Sequence, residues 1–214
     1  MAARITCADA FQPRGRDKMA DTQQQGKAVT HADTIPSTSG DAMGETTSPA
    51  ERFAGVERLY GSGSVATLAR AHVCVIGIGG VGSWAVEALA RSGVGRLTLI
   101  DADEVCVSNT NRQLHALDGE YGKSKVGVMA ARAHAINPTI RLEAIERFLT
   151  PSTLDELLDR GYDVVLDACD AFRVKLETIA WCRRRKLPIV SVGSAGGRTD
   201  STQIRVSLPN IAAR

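Results

Sequence analysis

The stretch from Val73 to Asp101 constrains the fold more than any other part of the chain. It reads VCVIGIGGVGSWAVEALARSGVGRLTLID. Its apolar run from Val73 to Ile78 has the length of a buried parallel strand and is too short for a helix. The run leads straight into Gly77, Gly79, Gly80 and Gly82. Trp84, Val86, Leu89 and Ala90 then recur at helical spacing, and Gly93 predicts the end of that helix. A second apolar run, Leu97 to Ile100, delivers Asp101. The order is strand, glycine turn, helix, strand, acid. Such glycines let the backbone approach a phosphate, while a helix start offers unpaired N–H groups and the positive end of a dipole. Asp101 is placed to accept two ribose hydroxyls. A glycine turn can also serve tight strand–helix packing alone. The acid about twenty residues downstream favours a nucleotide.

Composition bounds the rest. The chain has 214 residues, 43% of them hydrophobic, enough for one domain with a sizeable core and a tail. A net charge of +2 sets up no strong global field toward nucleic acid or membrane, although local charge still allows a tRNA-binding patch. No apolar run reaches the roughly 18 residues of a membrane span. The cysteines Cys7, Cys74, Cys106, Cys169 and Cys182 are scattered without a C-x-x-C pair. That argues against a structural zinc site and fits a reducing cytoplasm.

Residues 1–50 read as a disordered extension. Ala20 to Ala50 is rich in Thr, Ser, Asp, Gln, Gly and Pro and poor in large apolar residues. Arg4, Arg14 and Arg16 are mixed with Asp9 and Asp17, which argues against a targeting peptide. Residues 51–214 read as the folded domain. Phe53, Val56, Leu59 and Tyr60 follow helical spacing, and Val65 to Ala71 leads into the first strand. After Asp101, further helices are expected over Lys123–Ile136, from Thr150-Pro151 to Arg160, and over Phe172–Lys186. Strands are expected over Ile140–Ile145, Asp163–Ala168, Ile189–Val192 and Thr202–Leu208. The alternation implies an α/β fold: a Rossmann-like, mostly parallel sheet with flanking helices.

In such sheets the ligand lies beyond the carboxyl ends of the strands. The first strand presents the glycine turn, the second Asp101 and Asp103, and the fourth Asp170. Ser108, Asn109, Arg112 and Gln113 follow in a polar stretch, then Lys123 and Lys125. Carboxylates suit ribose and Mg2+, and fixed cations suit a polyphosphate. No P-loop motif occurs. An NAD-linked oxidoreductase remains the alternative, but its pyrophosphate needs mostly backbone contacts and leaves Arg112 and Lys125 unexplained. Each residue also has a plainer reading. Arg112 can be a solvated loop charge, Asp103 a turn cap, and Asp170 a helix cap. Lys125 lies in a first helical turn that disfavours cations, so an anion would account for it. Arg183-Arg184-Arg185-Lys186 lies at a helix C-terminus, where cations are favoured without any RNA.

At these residues the chain resembles the E1-like, ThiF-type adenylating superfamily, which includes the molybdopterin and thiamine sulfur-carrier adenylyltransferases. The pattern is the Gly77–Gly82 turn, Asp101, Ser108-Asn109-x-x-Arg112-Gln113, Lys125 and Asp170. Within it, several segments resemble the tRNA threonylcarbamoyladenosine dehydratase branch: Arg58-Leu-Tyr-Gly61, Asn109 to Ala116, Asp167 to Lys175, Trp181 to Lys186, and Gly193 to Arg205. The likeness covers Arg52 to Val206. Ala171-Phe172-Arg173 follows Asp170 where the sulfur-carrier branch has Asp-Asn, and that branch's zinc-binding cysteine pairs are absent.

The resemblance implies roles. Gly77, Gly79, Gly80 and Gly82 would form the ATP phosphate turn, with Asp101 on the ribose. Asp103, Ser108 and Ala171 would border the nucleotide. Asn109, Arg112 and Lys125 would meet the phosphates, and Asp170 would hold Mg2+. Arg58 matches an arginine inserted into the partner's site of a homodimer. The substrate would be tRNA carrying threonylcarbamoyladenosine, whose carboxylate becomes an adenylate. A ubiquitin-like sulfur-carrier protein as substrate, and a cysteine desulfurase partner, stay open. The family continues several dozen residues past Thr202–Leu208, so later strands and a substrate-covering loop are expected outside residues 1–214.

Overall fold

The structure, a computed structural model, describes residues 48–193 and 199–206. The chain divides into two units, Met1–Thr47 and Ser48–Arg214, and the description concerns the second. The expected disordered extension falls outside the described residues except for its last three. Those open a helix: the Ser48 hydroxyl caps Glu51 N, Pro49 stands at the first helical position, and Glu51 closes a capping box.

Five parallel strands make the sheet. They are β1 (His72–Ile76), β2 (Arg96–Ile100), β3 (Arg141–Ile145), β4 (Val164–Asp167) and β5 (Ile189–Ser191), in the order β3-β2-β1-β4-β5. Three short helices, α1 (Pro49–Arg52), α2 (Ala54–Tyr60) and α3 (Ser64–Arg70), precede β1. The larger ones are α4 (Gly82–Arg91), α5 (Lys125–Ile136) and α7 (Phe172–Arg184), with a short α6 (Leu154–Leu158). Among the described residues no helix is long and apolar enough to cross a membrane.

The central strand shows why the unbroken apolar run was needed. Alternate side chains of β1 enter two different cores. Val73 and Val75 pack with Val86 and Ala90 of α4 and Val126, Met129 and Ala133 of α5. Cys74 and Ile76 pack with Leu154, Leu157 and Leu158 of α6 and Trp181 and Cys182 of α7. A strand covered on both faces has no room for polar alternation. The edge strand β3 is only partly buried, in keeping with its mixed sequence RLEAI.

Several expectations need correction. Leu59 and Tyr60 do not share a buried face with Phe53: they are 72% and 73% exposed, whereas Phe53 is buried. Trp84 also points outward. Lys123 precedes α5 and pairs with Glu120, and the helix starts at Lys125 behind the Ser124 cap. Thr150 does not cap α6. It forms a turn in which its backbone N–H donates to Thr153 Oγ1 at 2.9 Å, and the helix starts at Leu154. Residues 202–206 form no strand. The Asp200 carboxylate accepts from Thr202 N, Thr202 Oγ1 and Gln203 Nε2, which winds Ser201–Gln203 into a three-ten turn. Such local side-chain bonds compete with a ladder. Ser207 and Leu208 lie outside the described residues.

Candidate functional site

The strand order reverses between β1 and β4, which is where a doubly wound sheet opens a ligand crevice. Ile76 lies opposite both Ile100 and Asp167, so β1, β2 and β4 end level. Immediately beyond, Gly77 takes φ +81°, and a Cβ there would stand 2.8 Å from Cys169 N. A Cβ on Gly82 would stand 1.8 Å from Gly77 O. Only glycine at both positions lets the chain fold back against β4 and enter α4. Asp101 holds the turn from the side: its Oδ2 accepts from Ile78 N at 2.6 Å and its Oδ1 from Asp103 N at 2.9 Å. Burial raises the Asp101 pKa, opposed by those N–H donors and the Lys125 charge. Each of its oxygens keeps a lone pair for a ribose hydroxyl. The N–H groups of Gly79, Gly80 and Val81 donate to no backbone or side-chain acceptor among the described residues, and no side chain caps α4. The turn is therefore an open cradle of donors at a helix start.

The polar stretch after Asp101 returns to this cradle. A Cβ on Gly80 would meet Arg112 Cγ at 3.3 Å, and one on Gly79 would meet Gln113 Nε2 at 3.9 Å. Arg112 thus stands beside the turn, its Nη1 donating to the Ser108 carbonyl at 3.1 Å and to Asn111 Oδ1 at 2.9 Å. Trp84 Nε1 donates to the Arg112 carbonyl at 3.2 Å, which fixes the backbone of that loop on α4. Asn109 is buried, and its Oδ1 accepts from Cys106 N, holding the three-ten turn Val107–Asn109. Ser108 lies exposed on the same turn. Gln113 Oε1 is buried without a partner among the described residues.

Lys125 has a protein anion after all. Its buried ammonium lies 2.8 Å from Asp103 Oδ2, whose side chain is 54% exposed. This pair accounts for a lysine at a helix start without a ligand. The exposed carboxylate still leaves room for one beside it. Asp170 follows the end of β4 and is exposed. The cap of α7 is Ala171, with no side-chain bond, so Asp170 does not serve as the helix cap. Asp170 also has no ion-pair partner among the described residues. Arg58 is exposed on α2, and among the described residues no hydrogen bond or ion pair joins it to the glycine turn. Cys169 lies in the turn after β4, where burial and then its bond to Asp167 push its thiol up to about 12, so it is a poor nucleophile.

Sequence reasoning missed one part of this region. Asp167, fully buried at the end of β4, pairs with Lys175 Nζ at 2.6 Å. The i, i+8 spacing from a strand end to the first turn of a helix gives no pattern to search for. Lysine within an otherwise apolar face was the available hint.

The site thus combines an N–H cradle, a ribose-type acid, two cations and one free carboxylate. Among the described residues no group of three or more His, Cys, Asp or Glu could hold a metal by itself. That set suits Mg2+, which binds one or two carboxylates and takes its remaining ligands from water and substrate phosphates.

Comparison with known proteins agrees with this geometry. The tRNA threonylcarbamoyladenosine dehydratase of Escherichia coli is 52% identical over 157 residues, 73% of this chain and 59% of that protein. The molybdopterin-synthase adenylyltransferase of Salmonella typhimurium is 37% identical over 121 residues, 56% of this chain and 48% of that protein. The crystal structure of the Escherichia coli dehydratase in complex with ATP superposes with a TM-score of 0.73, covering 74% of this chain and 65% of that one. The chain spans about three fifths of the length of the bacterial dehydratases it matches. The sequence pattern of the ThiF family matches residues 53–211, well over half of the chain, and the chain belongs to that family.

Proposed function

We propose that the chain carries the ATP-binding half of a tRNA threonylcarbamoyladenosine dehydratase. The observation that carries this reading is the open N–H cradle at Gly79–Val81 with Arg112 packed against it and Asp101 bonded to Ile78 N beside it. The 52% identity to dehydratases, one of them solved with ATP, supports it.

In this mechanism the cradle and Arg112 bind the triphosphate, and Asp101 accepts the ribose hydroxyls. Asn109 and the Lys125–Asp103 pair border the phosphates. Asp170 would hold Mg2+, which supplies positive charge against the phosphate oxygens. The threonyl carboxylate of the modified adenosine attacks the α-phosphorus, and pyrophosphate leaves. The carbamoyl group of the same side chain then attacks the activated carbonyl, AMP leaves, and a ring closes. Donors set in advance around the phosphates lower the barrier because they need no reorganisation. No thiol is needed for an intramolecular attack, in keeping with the high pKa of Cys169. Arg58 would complete the phosphate site of a second copy, making a homodimer with composite sites in the cytoplasm.

The competing substrate is the Gly-Gly tail of a sulfur-carrier protein, supported by the 37% identity to a molybdopterin-synthase adenylyltransferase. Pyrophosphate release separates the two. The reading expects stimulation by tRNA bearing threonylcarbamoyladenosine and none by a small Gly-Gly-tailed protein. Stabilisation by NAD+ exceeding that by ATP·Mg2+ in a thermal-shift assay would overturn adenylation altogether.

A further inference from the structure

The carboxyl end of β4 carries a buried ion pair whose geometry reaches into the site. Asp167 Oδ2 accepts from Lys175 Nζ at 2.6 Å and from Ser191 Oγ at 2.8 Å. Lys175 Nζ also donates to the Asp167 carbonyl at 3.4 Å and to Ser191 Oγ at 3.3 Å. The other carboxylate oxygen, Oδ1, accepts from Cys169 N at 3.2 Å. One carboxylate therefore ties together β4, β5, α7 and the turn that leads to Asp170.

Two arguments set this cluster apart from ordinary packing. Burying two charges costs about as much as their attraction returns, and a well-packed apolar pair is often as stable or more so. A pair kept at the mouth of a crevice, with Asp167 wholly buried and Lys175 nearly so, therefore has little claim on stability alone. The second argument is contact. The turn held by Asp167 Oδ1 is the wall against which Gly77 is folded, since a Cβ on Gly77 would stand 2.8 Å from Cys169 N and 2.9 Å from Cys169 Cα. Ala168 N donates to Ile76 O at 2.8 Å, which locks the two strand ends in register. A shift of residues 168–170 moves Asp170 and the phosphate cradle relative to each other.

We propose that Asp167, Lys175 and Ser191 form a positioning cluster that sets the Asp170 carboxylate against the glycine turn, and so governs the Mg2+ requirement for nucleotide binding. The proposal rests on the ATP·Mg2+ reading above. None of the three residues touches the nucleotide in this account. They act through the 168–170 turn, as outer partners orient the ligands of a metal.

The test uses the whole chain and three variants. Lys175→Met alone strands a buried carboxylate and risks unfolding, so the informative change is the charge-free pair Asp167→Leu with Lys175→Met. Ser191→Ala removes both bonds of the Ser191 hydroxyl and keeps the ion pair, and Lys175→Arg keeps the charge. For each, the melting temperature without ligand reports folding. ATP affinity is then measured in EDTA and across a Mg2+ titration. The cluster predicts a folded double variant with nearly unchanged ATP binding in EDTA and a Mg2+ midpoint raised about 10- to 100-fold. Ser191→Ala should shift the midpoint in the same direction by less, and Lys175→Arg, which keeps the charge, should leave it near the wild-type value. A folded double variant with the wild-type midpoint overturns the proposal. If the double variant does not fold, a wild-type midpoint in Ser191→Ala overturns it equally. A wild-type chain that binds no ATP overturns the adenylation reading, and this proposal with it. A wild-type chain with a clear Mg2+ requirement that the folded variants share overturns the cluster alone.

Discussion

Gly82→Ala sets two effects of opposite sign against each other. Gly82 opens α4, where alanine is the better helix former by up to about 1 kcal/mol. Its added Cβ, however, would stand 1.8 Å from Gly77 O, a backbone atom that cannot swing aside. Reaching an ordinary contact requires the two atoms to part by about 1.6 Å, in an interior packed closely enough to feel one methylene. Overpacking of this kind costs about 3 kcal/mol at the upper end of its usual range. The clash wins, and the net loss is about 2 kcal/mol, or about 4–8 °C in melting temperature for a domain of this size. Because the same movement opens the N–H cradle, ATP affinity should fall about tenfold or more. Gly127→Ala is the matched control. It also lies in a first helical turn, but its Cβ would meet only the Ser124 side chain, at 3.7 Å from Cβ and 3.8 Å from Oγ, so it should stabilise the chain by about 0.5–1 kcal/mol. Calorimetry with and without ATP measures both. A Gly82→Ala chain as stable as wild type, with unchanged ATP binding, would refute the rigid turn.

His115 is wholly buried with neither ring nitrogen bonded among the described residues, and burial, then the Lys125 charge, holds its pKa at about 4 against an ordinary 6.5. The unfolded chain binds that proton more tightly, so stability should be full above about pH 6.5 and decline as pH falls toward 4. His115→Gln should flatten this part of the denaturation-versus-pH curve, and an unchanged slope would contradict it. Cys169→Ala should leave adenylation within about twofold of wild type, measured as pyrophosphate exchange, because its thiol is not ionised near neutral pH. Arg58→Ala and Asp170→Ala should each be inactive, and mixing them should restore activity to about half of the heterodimer's sites, as expected when an arginine acts in trans. No recovery despite proven subunit exchange would place Arg58 outside the neighbour's site.

Much of this architecture was legible because it depends on local chemistry. A run with no polar alternation has to be covered on both faces, and β1 is. The glycines of the turn fit because any side chain at Gly77 or Gly82 would strike backbone. Asp101 was legible as an acid at a strand end, but not as the group that holds Ile78 N. Long-range pairings were the least visible. Nothing in the residues around Lys125 points to Asp103 as its anion, and nothing around Lys175 points to Asp167. Local hydrogen bonding defeated two boundaries: the Thr150–Thr153 hydroxyl turn delays α6, and Asp200 turns the following residues away from a strand. The helical spacing of Phe53, Leu59 and Tyr60 does not yield one buried face, because Phe53 packs on Gly93 while the other two face outward.

The central claim is that this nucleotide site activates the carboxylate of threonylcarbamoyladenosine in tRNA. Its most direct test is mass spectrometry of nucleosides from tRNA that carries the modification, after incubation with the chain and ATP·Mg2+. The account predicts a product lighter than threonylcarbamoyladenosine by one water, about 18 Da, formed only with ATP and lost in Arg112→Ala. Unchanged threonylcarbamoyladenosine, under conditions where the chain binds ATP and adenylates a Gly-Gly-tailed carrier protein, would contradict it.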